Sequence, residues 1–255
     1  MLLVVLAAGA LALVVLPLIG LLQRAPWSSL GTALRAHDSF AALRLSVETS
    51  LGAVGLSVIL GVPLAWILAR RRFPGRAVVR ALVTLPMVLP PVVGGIALLY
   101  AFGRRGFAGH VLYDLTGWRF VFNTSGAILA ETFVSMPFLI ITAEFAFRSL
   151  DRRAEEAAAT LGASPPYRFR RVTLPAVAPA LAAGAALTWA RALGEFGATI
   201  TFAGNLPGST QTTPLLVYLD IESGHEGAAI ALSLVLLGVS LAVLVGLRDR
   251  WLGNP

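Results

Sequence analysis

The sequence contains no cysteine and no lysine, and charged residues make up only 13% of its 255 positions. Without cysteine there is no disulfide, no thiolate nucleophile and no cysteine metal ligand, although this leaves the redox compartment open. Without lysine there is no G-x4-G-K-[ST] loop, so the chain holds no phosphate cradle of that kind for ATP. The only histidines, His37, His110 and His225, fall in loops between apolar runs and have no ligand-spaced partner, so no metal site is expected. There is no G-x-S-x-G elbow, and no acid pair at helical spacing points to a protease inside a membrane. Neither catalysis by the chain itself nor a resident cofactor is expected.

Apolar residues are abundant, at 57%. A hydrocarbon core about 30 Å thick needs roughly 20 apolar residues per helix. Runs of that kind lie at about 1–22, 46–68, 81–102, 127–147, 176–202 and 228–247, which predicts six spans in a single membrane domain covering 1–255. The first run lacks a basic start and meets Pro26-Trp27 instead of a small-residue cleavage site, so it is read as a retained helix and not as a cleaved signal. The net charge of +7 could point to nucleic acid, but the 20 arginines are not placed for it. They crowd into alternate loops: Arg70, Arg71, Arg72, Arg76 and Arg80, then Arg148, Arg152, Arg153, Arg168, Arg170 and Arg171, then Arg248 and Arg250. The other loops hold only Arg24, Arg35 and Arg44, and Arg104, Arg105 and Arg119. The positive-inside rule makes the first group cytoplasmic and puts both termini inside. The partner implied is a lipid bilayer, not a nucleic acid.

The third run carries Pro86, Pro90 and Pro91 before Gly94-Gly95. Each proline removes a backbone donor and clashes with the turn before it, so this helix should be kinked or broken. That places Pro90 and Pro91 either along a water-filled interior or at a kink that only aids packing. The fourth run holds Glu131 and Glu144, and Glu144, near the cytoplasmic end, is expected to reach water. The fifth is rich in alanine and glycine from Ala180 to Ala186, which favours close helix approach in lipid.

Between the fourth and fifth runs lies a polar segment, 148–175. Asp151 can cap a short helix there, and Glu155 and Glu156 sit where the helix dipole favours negative charge. Ala154, Ala157, Ala158 and Leu161 fall on one face, forming a shallow stripe that a partner can approach closely. Gly162 suits the left-handed position after the helix, and Ser164-Pro165 reads as the start of a second short helix. An amphipathic hairpin lying on the membrane is the competing reading, but alanine buries too little area to anchor one.

The residues Glu156-Ala157-Ala158-x3-Gly162-x9-Val172-x-Leu174-Pro175 resemble the coupling loop of binding-protein-dependent ABC importer permeases. Valine at 172 is a mild departure from the commoner isoleucine. The resemblance implies an all-α membrane protein with six transmembrane helices, the type I ABC-importer permease fold and cytoplasmic coupling helices. It implies a homodimer in a prokaryotic inner membrane, joined by two cytoplasmic ATPase subunits and an external binding protein. Glu155, Glu156, Ala157, Ala158, Leu161, Gly162, Leu174 and Pro175 would then couple to the ATPase.

A second segment, Gly194-Glu195-Phe196-Gly197, resembles the oxyanion branch of these permeases, which includes sulfate and molybdate transporters. Its continuation through Ala198 to Asn205, together with Gly103-Arg104-Arg105-Gly106-Phe107-Ala108-Gly109, resembles the molybdate type. Arg191 and Glu195 stand four apart and can pair across one turn, as a structural ion pair or along the pathway. Thr199 and Thr201 are the better pathway residues, because neutral donors can bind an oxyanion weakly and release it. Arg104, Arg105 and Asn205, on the outer side, suit the docking of an acidic binding-protein face; two solvated arginines are the alternative. Molybdate transport is the expected function. Sulfate or thiosulfate, and tungstate, remain alternatives within the branch, and an ion-coupled secondary transporter remains one from another class.

Overall fold

The computed structural model describes residues 1–35 and 37–251, with the side chains at 37 and 247–251, Arg248 and Arg250 among them, outside the described residues. Every regular element among the described residues is helical. In chain order they are α1 (Leu2–Gln23), α2 (Leu30–Arg35), α3 (His37–Arg70), α4 (Arg76–Val88), α5 (Pro91–Phe102), α6 (Phe107–Thr116) and α7 (Thr124–Ser149). There follow α8 (Arg153–Thr160), α9 (Pro165–Arg168), a π-helical turn (Phe169–Thr173), α10 (Leu174–Leu193), α11 (Gly197–Phe202), α12 (Thr213–Glu222) and α13 (Glu226–Trp251).

Among the described residues five helices are long and apolar enough to cross a membrane: Leu2–Gln23, Asp38–Arg70, Thr124–Ser149, Pro165–Leu193 and Glu226–Gly246. The helix α1 buries none of its residues, and so much exposed leucine and valine is compatible with lipid rather than water. The third predicted run is broken, the sharper of the two expected outcomes: α4 and α5 turn on each other by 119°. Leu89 and Pro90 both adopt extended backbone, with ψ 136° and 131°. Each precedes a proline, whose ring disfavours the helical conformation in the residue before it.

The expected fifth span, 176–202, is also corrected. It ends at Leu193, and α11 starts anew at Gly197 because the Glu195 carboxylate accepts a hydrogen bond from Ala198 N at 2.8 Å. That carboxylate satisfies one of the free amides at the start of a helix. Loop assignments change as well, beginning with His37, which opens α3 instead of lying in a loop. The segment after Gly106 is the helix α6, which carries His110 and closes at Gly117 in the left-handed conformation (φ 70°). The short helices α2 and α12 were not anticipated at all.

The centre of the fold is α3 against α7, with α10 packed on both. One core cluster joins Leu68, Ile140, Ala143, Phe147 and Val177 from those three helices. Farther along, α3 turns small polar residues inward, which suits an interior where lipid offers no hydrogen bonds. Ser46 Oγ donates to Thr213 Oγ1 at 2.9 Å, Thr49 Oγ1 donates to the buried Glu131 at 2.8 Å, and Trp189 Nε1 donates to Ser50 Oγ at 2.9 Å. Glu144 does not reach out to water as expected. It is 9% exposed and held by Arg80, whose Nε donates to Glu144 Oε1 at 2.8 Å.

Candidate functional site: the coupling loop and the paired helices at the opposite end

The polar segment folds from its local signals. Asp151 Oδ1 accepts from Arg153 N at 3.0 Å, capping the entry to α8. At the other end Gly162 takes φ +80°, and two bonds close the helix: Gly162 N to Ala159 O and Ala163 N to Ala158 O, each 3.0 Å. This double closure needs a left-handed residue after the helix, which glycine adopts without strain. Ser164 then precedes Pro165 at the start of α9. The second helix is not a separate short one: α9 runs through the π-helical turn directly into α10.

One face of α8 is tied down and the other is open. Glu155 Oε1 accepts from Arg70 Nη2 at 2.8 Å and from Thr173 Oγ1 at 2.6 Å, joining the loop to the end of α3 and to the π-helical turn. Arg70 and Glu155 side chains are 10% and 21% exposed, so this pair is shielded from water. Phe169 adds an apolar anchor, with its ring edge-on to Trp66 at 6.2 Å and close to Phe147 at 6.4 Å. On the free face Glu156 and Ala157 are exposed, Ala158 is half-buried, and Leu161 is 88% exposed. Leu174 is half-buried and Pro175 exposed in the first turn of α10. A leucine left bare beside a strip of alanines is a surface shaped to be covered.

At the opposite end of the fold α5 lies against α11. Their approach depends on Gly95, where a Cβ would collide with Thr201 Oγ1 and stand 2.8 Å from Ala198 O. Arg191 Nη2 pairs with Glu195 Oε2 at 2.8 Å, and Glu195 is 2% exposed. The pair therefore forms as the spacing predicts, but across a break, with Glu195 also capping α11. Thr199 is fully buried and its hydroxyl has no partner, whereas Thr201 Oγ1 donates to Gly197 O at 2.7 Å. Pro90 and Pro91 are exposed at the turn between α4 and α5.

Arg104 and Arg105 are both exposed, and the Arg104 guanidinium lies over the Tyr113 ring at 4.6 Å. With Arg119 and Phe122 they border a hollow of about 500 Å³. Asn205 does not line it. Its loop is joined to that rim through Phe122, whose N donates to Ala203 O at 2.9 Å and whose O accepts from Ser209 Oγ at 3.1 Å. The sequence reading missed Arg119 as a third cation here. It also missed Arg70 and Thr173 as the anchors of Glu155, having taken Arg70 only as a marker of sidedness.

Residues 61–254 match the family model described as the binding-protein-dependent transport system inner membrane component. The chain belongs to this family. The permease is 46% identical over 246 residues to the molybdenum transport system permease protein ModB of Mycobacterium tuberculosis, covering 96% of this chain and 92% of that one. It is 43% identical over 215 residues to ModB of Escherichia coli K12, covering 84% and 93% of the two chains. The sulfate transport system permease protein CysT of Salmonella typhimurium is 35% identical over 229 residues, covering 89% and 82%. Among solved structures, a chain of a bacterial ABC transporter that imports alginate superposes with a TM-score of 0.69 at 19% identity, covering 96% of this chain and 94% of that one. A chain of the MetNI methionine ABC transporter gives 0.57 at 16% identity, covering 82% and 94%. The fold is thus that of ABC-importer permeases, in a multi-pass protein of the inner membrane.

Proposed function

We propose that this permease carries molybdate as a homodimer, powered by two cytoplasmic ATPase subunits and supplied by an external molybdate-binding protein. The observation that carries the choice of cargo is a difference in identity. The molybdenum permeases stand at 46%, 43% and 41%, and the sulfate permeases at 35% and 33%. Both termini lie in the cytoplasm, on the side where the arginines gather.

The open face of α8 is the ATPase dock. Ala157 and Ala158 let the partner's backbone come close, Leu161 fills a pocket in it, and Glu156 is free to pair across the interface. Movement of the ATPase is passed inward by the Glu155 link to Arg70 and Thr173, which grips α3 and the start of α10 together. The helices are the two-state element, and the loop biases it.

On the outer side Arg104, Arg105 and Arg119 attract the acidic face of the binding protein, with Asn205 in the adjoining loop. Along the path between two copies, Arg191 does not trap the anion because Glu195 already neutralises it. Thr199 and Thr201 offer neutral hydroxyls, and the α4–α5 turn at Pro90-Pro91 borders the route. Competition decides the cargo. Uptake of labelled molybdate should persist under a large excess of sulfate, and its loss there would reassign the permease to sulfate.

A further inference from the structure

Three guanidiniums converge on a single carboxylate oxygen beside the coupling loop. Glu144 Oε1 accepts from Arg80 Nε at 2.8 Å, with Arg148 Nη1 at 3.6 Å and Arg76 Nη2 at 3.9 Å from the same atom. Arg76 Nε is buried with no hydrogen-bond partner. One carboxylate neutralises one arginine, which leaves Arg76, with its side chain 21% exposed, and Arg148, 56% exposed at the rim, sharing a counter-ion that is already paired. Such a corner is short of an anion. Guanidinium groups match tetrahedral oxyanions in two-pronged hydrogen bonding, phosphate above all.

The space beside the cluster narrows the choice of anion. A hollow of about 620 Å³ opens there, lined by Arg80, Arg148 and Glu144 and walled by Val83, Ile140, Ile141 and Phe145; Arg76 stands just behind it, 3.9 Å from Glu144. Ile141 and Phe145 are 42% and 74% exposed, so the wall continues onto the outer face of α7. A small soluble oxyanion gains nothing from such walls and loses hydration against them. An amphiphile uses both parts. Basic pockets between helices on the arginine-rich side of a membrane protein suit anionic lipid headgroups.

We propose that this corner binds one anionic phospholipid, with its phosphate on Arg148 at the mouth of the hollow and on the side of Glu144 that Arg76 approaches, and an acyl chain along Val83, Ile141 and Phe145. The proposal holds whichever oxyanion the permease carries. It also places the lipid close to the coupling machinery. Arg80 Nη2 donates to Leu68 O at 3.3 Å, two residues before the Arg70 that holds Glu155. A bound lipid therefore steadies the end of α3 to which α8 is tied.

The test uses the full permease with its ATPase in nanodiscs, titrated with fluorescent phosphatidylglycerol and, separately, phosphatidylcholine. Phosphatidylglycerol should bind in preference, and Arg76→Gln and Arg148→Gln should each weaken it about fivefold, with phosphatidylcholine unchanged. Both substitutions leave the Arg80 pair with Glu144 intact. Phe145→Ala, at an exposed position, should weaken long-chain phosphatidylglycerol while sparing a short-chain analogue. Equal binding of the two lipids, or variants that keep the wild-type preference, overturns the proposal. Displacement of the lipid by millimolar phosphate or molybdate would assign the site to a soluble oxyanion instead. Because the chain has no cysteine, Phe145→Cys can be oxidised as a sole thiol, and cross-linking between copies would show that a second permease covers the groove.

Discussion

The link from Glu155 to Arg70 and Thr173 is the point at which force on the coupling loop would enter the helix bundle, and it can be weighed. Glu155→Ala removes two hydrogen bonds to a charged acceptor, at 2.8 and 2.6 Å. It also strands Arg70, whose side chain is only 10% exposed. Hydrogen bonds to charged groups contribute about 1.5–3 kcal/mol each. Solvent screening trims this little, because both partners are less than a quarter exposed. The single variant should lose about 3 kcal/mol. Arg70→Met should lose a similar amount, and the double variant Arg70→Met/Glu155→Ala should recover part of it, leaving a coupling energy of about 2 kcal/mol. Equilibrium unfolding of the purified permease measures the cycle. The ratio of solute moved to ATP hydrolysed, measured with the partner ATPase, reads the functional side, and it should fall in both single variants. Additive losses, with a coupling energy below about 0.5 kcal/mol, would refute the reasoning even if transport suffered.

Other expectations follow from single positions. Gly162→Ala meets open space, so its cost is backbone strain alone, about 1–2 kcal/mol at φ +80°, visible as faster amide exchange at the end of α8. Gly95→Val drives a side chain into Thr201 and Ala198 O and should separate α5 from α11, abolishing uptake while the chain still inserts; unchanged uptake would disprove that close approach. Ala157→Phe leaves stability within about 0.5 kcal/mol because the site is exposed, but should abolish co-purification of the ATPase.

Features governed by a residue and its near neighbours were legible in the sequence. Consecutive prolines at 90 and 91 impose extended backbone on their predecessors whatever the surroundings, so the break in the third run was visible. Gly162 and Ser164-Pro165 were equally readable, since a left-handed closure and a proline start have few solutions. Arg191 and Glu195 met as their spacing predicts, although the helix ends between them. What depends on distant partners was not legible. Nothing local indicates that α5 turns by 119° and lies on α11, because that geometry follows from the fit of Gly95 against Thr201. Glu155 and Arg70 are 85 positions apart, and Glu144 was expected at the surface because the arginines that bury it lie mostly on α4. The helix α12 carried a start signal in Thr213-Pro214, yet its ten residues were too few to register as a span.

The central claim is transport of molybdate driven by a separate ATPase, and proteoliposomes test it directly. Vesicles holding the permease with its ATPase, given the external binding protein and labelled molybdate, should accumulate the anion only when ATP is present. Accumulation should continue when the proton gradient is collapsed. Uptake that needs no ATPase and vanishes with the proton gradient would contradict the account.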